Sequence, residues 1–144
     1  MSRFMYVAVF LCFHFLILVF CSACGQISEP KKIQDIEYTV CDESRLPKEL
    51  LAIIEEKKET PFRLSYTTGS YMYIVVGYGE QDRDQLSVAV SDLYLGENAI
   101  YMNTSLISDS QDVQTGKTSF PYVAVKCEKY DLPISYLSYS SQAY

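Results

Sequence analysis

The groups that could move a proton or hold a metal are few in this chain, and their places in it are telling. The one histidine, His14, lies inside residues 4–20, FMYVAVFLCFHFLILVF, a run with no formal charge. Ser-His-Asp and Cys-His mechanisms need an imidazole to carry the proton, and zinc sites mostly need histidine or several cysteines. A histidine buried in an apolar leader serves neither. What remains is carboxylate chemistry, and the densest group is Glu80, Gln81, Asp82, Arg83 and Asp84. Two carboxylates are enough to hydrolyse a glycoside, so an enzyme acting on cell-wall glycan is the alternative reading. Yet these acids are near-neighbours in one charged turn with Arg83 among them, and nothing in the pattern turns them toward a cleft. The glycine and the closing glutamate of an EF-hand loop are missing. Thr115-Gly116-Lys117-Thr118 ends like a phosphate loop, but Gln111 stands where that motif has its first glycine. The expectation is therefore no catalytic residue, no metal and no cofactor, with residues 80–84 serving as an interaction loop.

The cysteines point elsewhere. Arg3 precedes the apolar run, and Cys21-Ser22-Ala23-Cys24-Gly25 follows it. A short charged start, an apolar centre and a small-residue exit describe a secretory signal. Small residues just before Cys24 mark it as the acceptor of a lipid anchor with acyl chains of the palmitate class. Cys21, preceded by bulky Phe20, is a poorer acceptor. The competing reading is an uncleaved signal anchor, since seventeen apolar residues sit at the short edge of what spans a bilayer. Arg3 would then keep the N-terminus inside, and the rest would still be exported. Residues 1–23 are thus expected to be a lipoprotein signal peptide and residues 24–34 a polar tether. The domain would sit on the extracytoplasmic face of the cell membrane. Cleavage before Cys24 removes Arg3 and none of the 18 acidic residues, so the exported part is more acidic than the whole chain at net −6. Such a surface opposes nucleic acid and anionic lipid. Export also permits a disulfide. Cys41 and Cys127 are either bridged or two buried thiols, and both readings stay open at this stage.

The elements that must position these residues follow from periodicity. Residues 36–41 alternate weakly, as a short first strand. Residues 47–58 carry one helix: Leu50, Leu51, Ile53 and Ile54 make an apolar stripe, Pro47 suits the first turn, and Pro61 ends it. From Phe62 the period becomes two. Residues 71–78, YMYIVVGY, are apolar on both faces and read as a central strand. Leu86, Val88 and Val90 share a face, the phase slips at Ser91-Asp92 as at a bulge, and it resumes at Leu93. Strands over residues 99–107 and 120–126 and a short one over 134–137 complete a domain of residues 35–138. Residues 108–118 form a polar loop, and 139–144 a frayed tail. The fold class is α+β: one N-terminal helix followed by a small, mainly antiparallel β-sheet or sandwich. Twelve of the thirteen tyrosines follow residue 23. They suit binding surfaces and half-buried strands alike.

Three blocks carry a family resemblance: YIVVGYGEQ at 73–81, LYLGENAIY at 93–101 and SFPYVAVK at 119–126. With KELLAIIEEKKETPFRLSY at 48–66, they resemble the C-terminal domain of the protease-complex-subunit PrcB family of lipoproteins. The match departs at Asp82-Arg83-Asp84-Gln85, where the family has a glycine-rich turn. The resemblance implies a non-catalytic accessory subunit, with a surface protease or another envelope protein as partner. A ligand-binding or structural lipoprotein without a protein partner is the third reading.

Overall fold

The computed structural model describes residues 30–108 and 117–137. Its elements are β1 (Lys32–Asp35), β2 (Tyr38–Val40), a 3-10 turn (Glu43–Arg45), α1 (Lys48–Lys57), β3 (Pro61–Thr68), β4 (Tyr71–Tyr78), β5 (Leu86–Gly96), β6 (Ile100–Ser108), β7 (Tyr122–Glu128) and β8 (Ile134–Leu137). They make two four-stranded sheets, ordered β1-β5-β6-β8 and β2-β7-β4-β3. All pairings are antiparallel except β6 with β8, which is parallel.

The alternation of side chains along β4 and β7 builds three layers. Met72, Ile74 and Val76 of β4 and Val123, Val125 and Cys127 of β7 face the first sheet, where Leu93, Ile100 and Met102 meet them. The opposite faces, Tyr73 and Val75 with Ala124, meet Leu50 and Ile54 of α1. The second sheet is therefore covered on both sides, which is why β4 is a continuous apolar run. Leu50 and Ile54 are one helical turn apart and 0% and 1% exposed. Burial at that level stabilises by about 1.5–3 kcal/mol per side chain.

Two local devices fix the second sheet. Gly69, at φ 57°, opens the two-residue turn between Thr68 and Tyr71, as a type II′ hairpin requires. Gly77 lies opposite Phe62, whose ring covers it; a Cβ there would meet Phe62 Cε1 at 2.1 Å. In the first sheet the register shifts between Val90 and Asp92, at the expected bulge.

Three expectations need correction. The helix is not N-terminal in the domain, because β1 and β2 precede it. Lys32–Gln34, expected in the tether, pair with β5 instead. All four β1 side chains are exposed, so no apolar alternation betrays the strand; backbone pairing and the Lys32 ammonium over the Tyr94 ring hold it to β5. The last strand runs parallel to its neighbour, since the chain returns from β7 before entering β8. The expected signal peptide, Cys24, most of the expected tether and the expected tail lie outside the described residues. Among the described residues no helix is long and apolar enough to cross a membrane.

The sandwich has two seams. At one, the chain itself crosses from β1 to β2. Ile36, 3% exposed, fills the space between the sheets, and its N–H donates to the Leu93 carbonyl at 3.1 Å. At the other, β3 and β8 are edge strands that face each other.

Candidate functional site

The expected interaction loop begins where β4 ends. Gly79, at φ 74°, turns the chain, and the Glu80 N–H donates to the Glu59 carbonyl at 3.1 Å. Gln81 and Ser119 then form a two-way backbone bridge, at 2.9 and 3.0 Å. The Gln81 side chain donates through Nε2 to the Tyr78 carbonyl at 3.0 Å. The Ser119 hydroxyl donates to the Arg83 carbonyl, and Lys117 Nζ lies 3.9 Å from Asp84. The structure thus ties residues 79–85 to residues 117–119, the far end of the second expected loop; residues 109–116 lie outside the described residues. Glu80, Asp82 and Arg83 are exposed, while Gln81 and Asp84 are half-buried. Gln85 closes the loop at φ 60°, a backbone state that costs a side-chain-bearing residue about 1–2 kcal/mol. At Asp82-Arg83-Asp84-Gln85, the expected departure from a glycine-rich turn, Gln85 holds the left-handed position. Among the described residues, no three of His, Cys, Asp and Glu gather as a metal ion would need.

The cysteine pair takes the second of its two open readings. Cys41 and Cys127 are free and buried. The Cys41 N–H donates to the Ala124 carbonyl at 2.8 Å, whereas Cys127 stands opposite Tyr38. An offset of three residues along β7 reverses the side-chain direction. Cys41 therefore joins the helix-side core and Cys127 the core between the sheets, with the second sheet dividing them. Burial pushes the Cys127 thiol up to about 11, with the Glu128 charge adding to it, and burial raises Cys41 as well. Both are structural thiols, small apolar fillers poorly suited to form the reactive anion.

Sequence reasoning missed a cleft. Between β3 and β8 lies a hollow of 470 Å³ lined by Arg63, Val76, Tyr78, Met102, Thr104 and Tyr136, among others. That volume falls in the range of ligand-binding clefts. Its floor is apolar, and its polar groups are few and fixed. The Tyr78 and Thr104 hydroxyls are 3.0 Å apart and join the two sheets. The Arg63 guanidinium lies over the Tyr136 ring, 5.2 Å from its centroid. Burial raises the Tyr136 phenol while the Arg63 charge opposes the rise. The cleft adjoins the interaction loop, since Tyr78 lines one and its carbonyl holds the other. A more open, more polar hollow of 930 Å³ lies beside the β1–β2 crossing, around Tyr38, Tyr71, Lys126, Glu128 and Tyr130. There Lys126 Nζ sits 4.1 Å from the centre of the Tyr71 ring. In the sequence Arg63, Ser65 and Thr67 alternate with apolar Phe62, Leu64 and Tyr66, which marks two faces of β3 but not which one meets the other sheet. The apolar set turns to the helix, so the polar set takes the opposite face of β3, where Arg63 lines the cleft.

Comparison with protein-family models, with curated proteins and with solved structures returns no match.

Proposed function

We propose that this chain is a lipid-anchored, extracytoplasmic lipoprotein that acts by contact, as a non-catalytic accessory or interaction module. The observation that carries the contact reading is the Gln81–Ser119 bridge. It ties the charged turn at residues 79–85 to residues 117–119 at one end of the sandwich, and loops on a sheet scaffold are where binding residues concentrate. The acids of that end are spread along an exposed turn, and Asp84 already has Lys117 beside it, an arrangement suited to steering a partner more than to acid–base work. The anchor rests on the apolar run and on Ser22-Ala23-Cys24-Gly25. A surface protease, or another envelope protein it works with, is the partner that the PrcB resemblance suggests.

The test joins both parts. Crosslinking in intact membranes is compared for the parent chain, for Cys24→Ala and for the triple variant Asp82→Asn, Arg83→Gln, Asp84→Asn. Cys24→Ala should release the chain or leave its precursor uncleaved. The triple variant should lower the thermal midpoint only slightly, because Asp82 and Arg83 are exposed and the half-buried Asp84 meets Lys117 only at 3.9 Å, and should lose crosslinking in a salt-dependent way. A mature N-terminus without lipid mass at Cys24 refutes the anchor. Purified chain that cleaves cell-wall glycan and fails to after Glu80→Gln refutes the non-catalytic reading.

A further inference from the structure

We propose that the cleft between β3 and β8 is a docking groove for one kind of occupant: an extended segment of a partner protein with an apolar residue flanked by acids. The inference rests on the interaction-module reading for the partner being a protein, and it adds the partner's local chemistry and its seat.

Three observations select this occupant. First, the groove is bounded by strand edges. The second sheet ends at β3 and the first at β8, with no further strand beside either among the described residues. β3 offers eight residues of edge, which an extended segment can pair with through its backbone. Second, the opposite seam is an internal template. There an extended stretch, Asp35-Ile36-Glu37, crosses between the sheets, buries its isoleucine between them and bonds Leu93 through its backbone. The β3–β8 seam has the matching apolar floor, in Val76 and Met102, but 470 Å³ of open space in place of the isoleucine. Third, the charge is complementary. Arg63 projects from β3 into the groove and rests on Tyr136. Among the described residues no carboxylate pairs with it, in a chain that carries 18 acidic against 12 basic residues. A guanidinium held by a ring face keeps its N–H donors for an incoming carboxylate. An inward charge on an edge strand also guards against edge-to-edge aggregation. That role needs neither the cleft nor the hydroxyl pair that braces it.

The experiment uses the full chain in detergent micelles and two labelled, end-blocked peptides. One has an Asp-Ile-Glu centre in a Thr- and Val-rich frame, and its twin has a Lys-Ile-Lys centre. Fluorescence anisotropy should show binding of the acidic peptide, weakened about tenfold by Arg63→Gln, the loss of one charge-assisted contact. Arg63→Glu should reverse the preference to the lysine peptide. Amide exchange should show new protection along β3. Equal binding of the two peptides, no effect of either Arg63 variant, or protection confined to β1 and β2 would overturn the proposal. So would a concentration-dependent dimer protected along β3 without peptide, since the occupant would then be a second copy. Should the acidic peptide fail while the triple loop variant still loses crosslinking, the groove falls and the interaction-module reading stands. Should it bind at the groove while the loop variant crosslinks normally, the groove stands and the loop is not the contact.

Discussion

At the β1–β2 seam the chain closes its own sandwich. Ile36 lies between the sheets and the flanking acids reach water. At the β3–β8 seam the same two sheets meet across a space that no described residue fills, with Arg63 and Tyr136 at its rim. The two seams have the same apolar floor and opposite outcomes, because one pair of edge strands is joined by a crossing segment and the other is not. The difference separates what the fold needs from what it leaves free. A plugged seam is part of the core, and substitutions there should act on stability. An open seam contributes little to stability, and substitutions at its rim should act on binding.

The largest expected effect breaks the plug. Ile36→Ala should destabilise by about 2–5 kcal/mol, the usual range for emptying a buried isoleucine, measured as a shift of the urea midpoint at constant slope. A loss below about 1 kcal/mol would mean that the crossing segment does not close the core. Next is Gly77→Ala on the helix side of the second sheet, where Phe62 belongs to the core. The new methyl group collides with the Phe62 ring, and overpacking of this kind costs about 1–3 kcal/mol. Calorimetry should place its thermal midpoint below that of the parent chain, and an unchanged midpoint would mean the ring moves aside freely.

A smaller effect depends on pH. The folded Cys127 thiol titrates near 11, above its ordinary 9.0. The folded state therefore holds a proton that the unfolded chain gives up earlier, and stability must fall as pH rises. Its contribution is intact below about pH 9 and is lost by about pH 11. Stability followed by denaturant titration should fall through this window, and Cys127→Ala should flatten the fall. Tyr122, raised to about 12 by burial and by Glu43, should extend the decline above pH 10 until it is replaced by Phe. A rise in stability across the same window would contradict the burial of both groups.

The smallest expected stability effect lies at the open rim. Arg63→Ala should change the unfolding free energy by no more than about 0.5 kcal/mol, as an exposed substitution outside the core does. A cost as large as that of Ile36→Ala would erase the distinction between the seams.

How much of this was legible in the sequence depends on how much each feature relies on side chains. The helix, the central strand β4 and the bulge after Val90 announce themselves through apolar periodicity, and the structure has them where that pattern puts them. β1 was not legible, because its four exposed side chains carry no apolar pattern. The separation of Cys41 from Cys127 depends on the β2–β7 register, and three residues of offset decide the face. Spacing along the chain does not encode that offset. The groove was hidden for a related reason. Alternation divides β3 into an apolar and a polar face, but which face meets the helix and which meets the other sheet is a property of the assembled layers. The charged loop at residues 80–84 was visible from composition, whereas its bridge to Ser119 joins segments 38 positions apart in numbering and had no local signal.

The most direct test of the distinction between the seams uses the full chain in intact cells that express it. A photocrosslinking residue is placed at Ser65, on the β3 edge, and in a second variant at Thr39, on the short β2 edge. A protein adduct is expected from Ser65 that disappears when Arg63→Glu is added, with little or none from Thr39. Equal adducts from both edges, or an adduct at Ser65 indifferent to Arg63, would contradict the distinction.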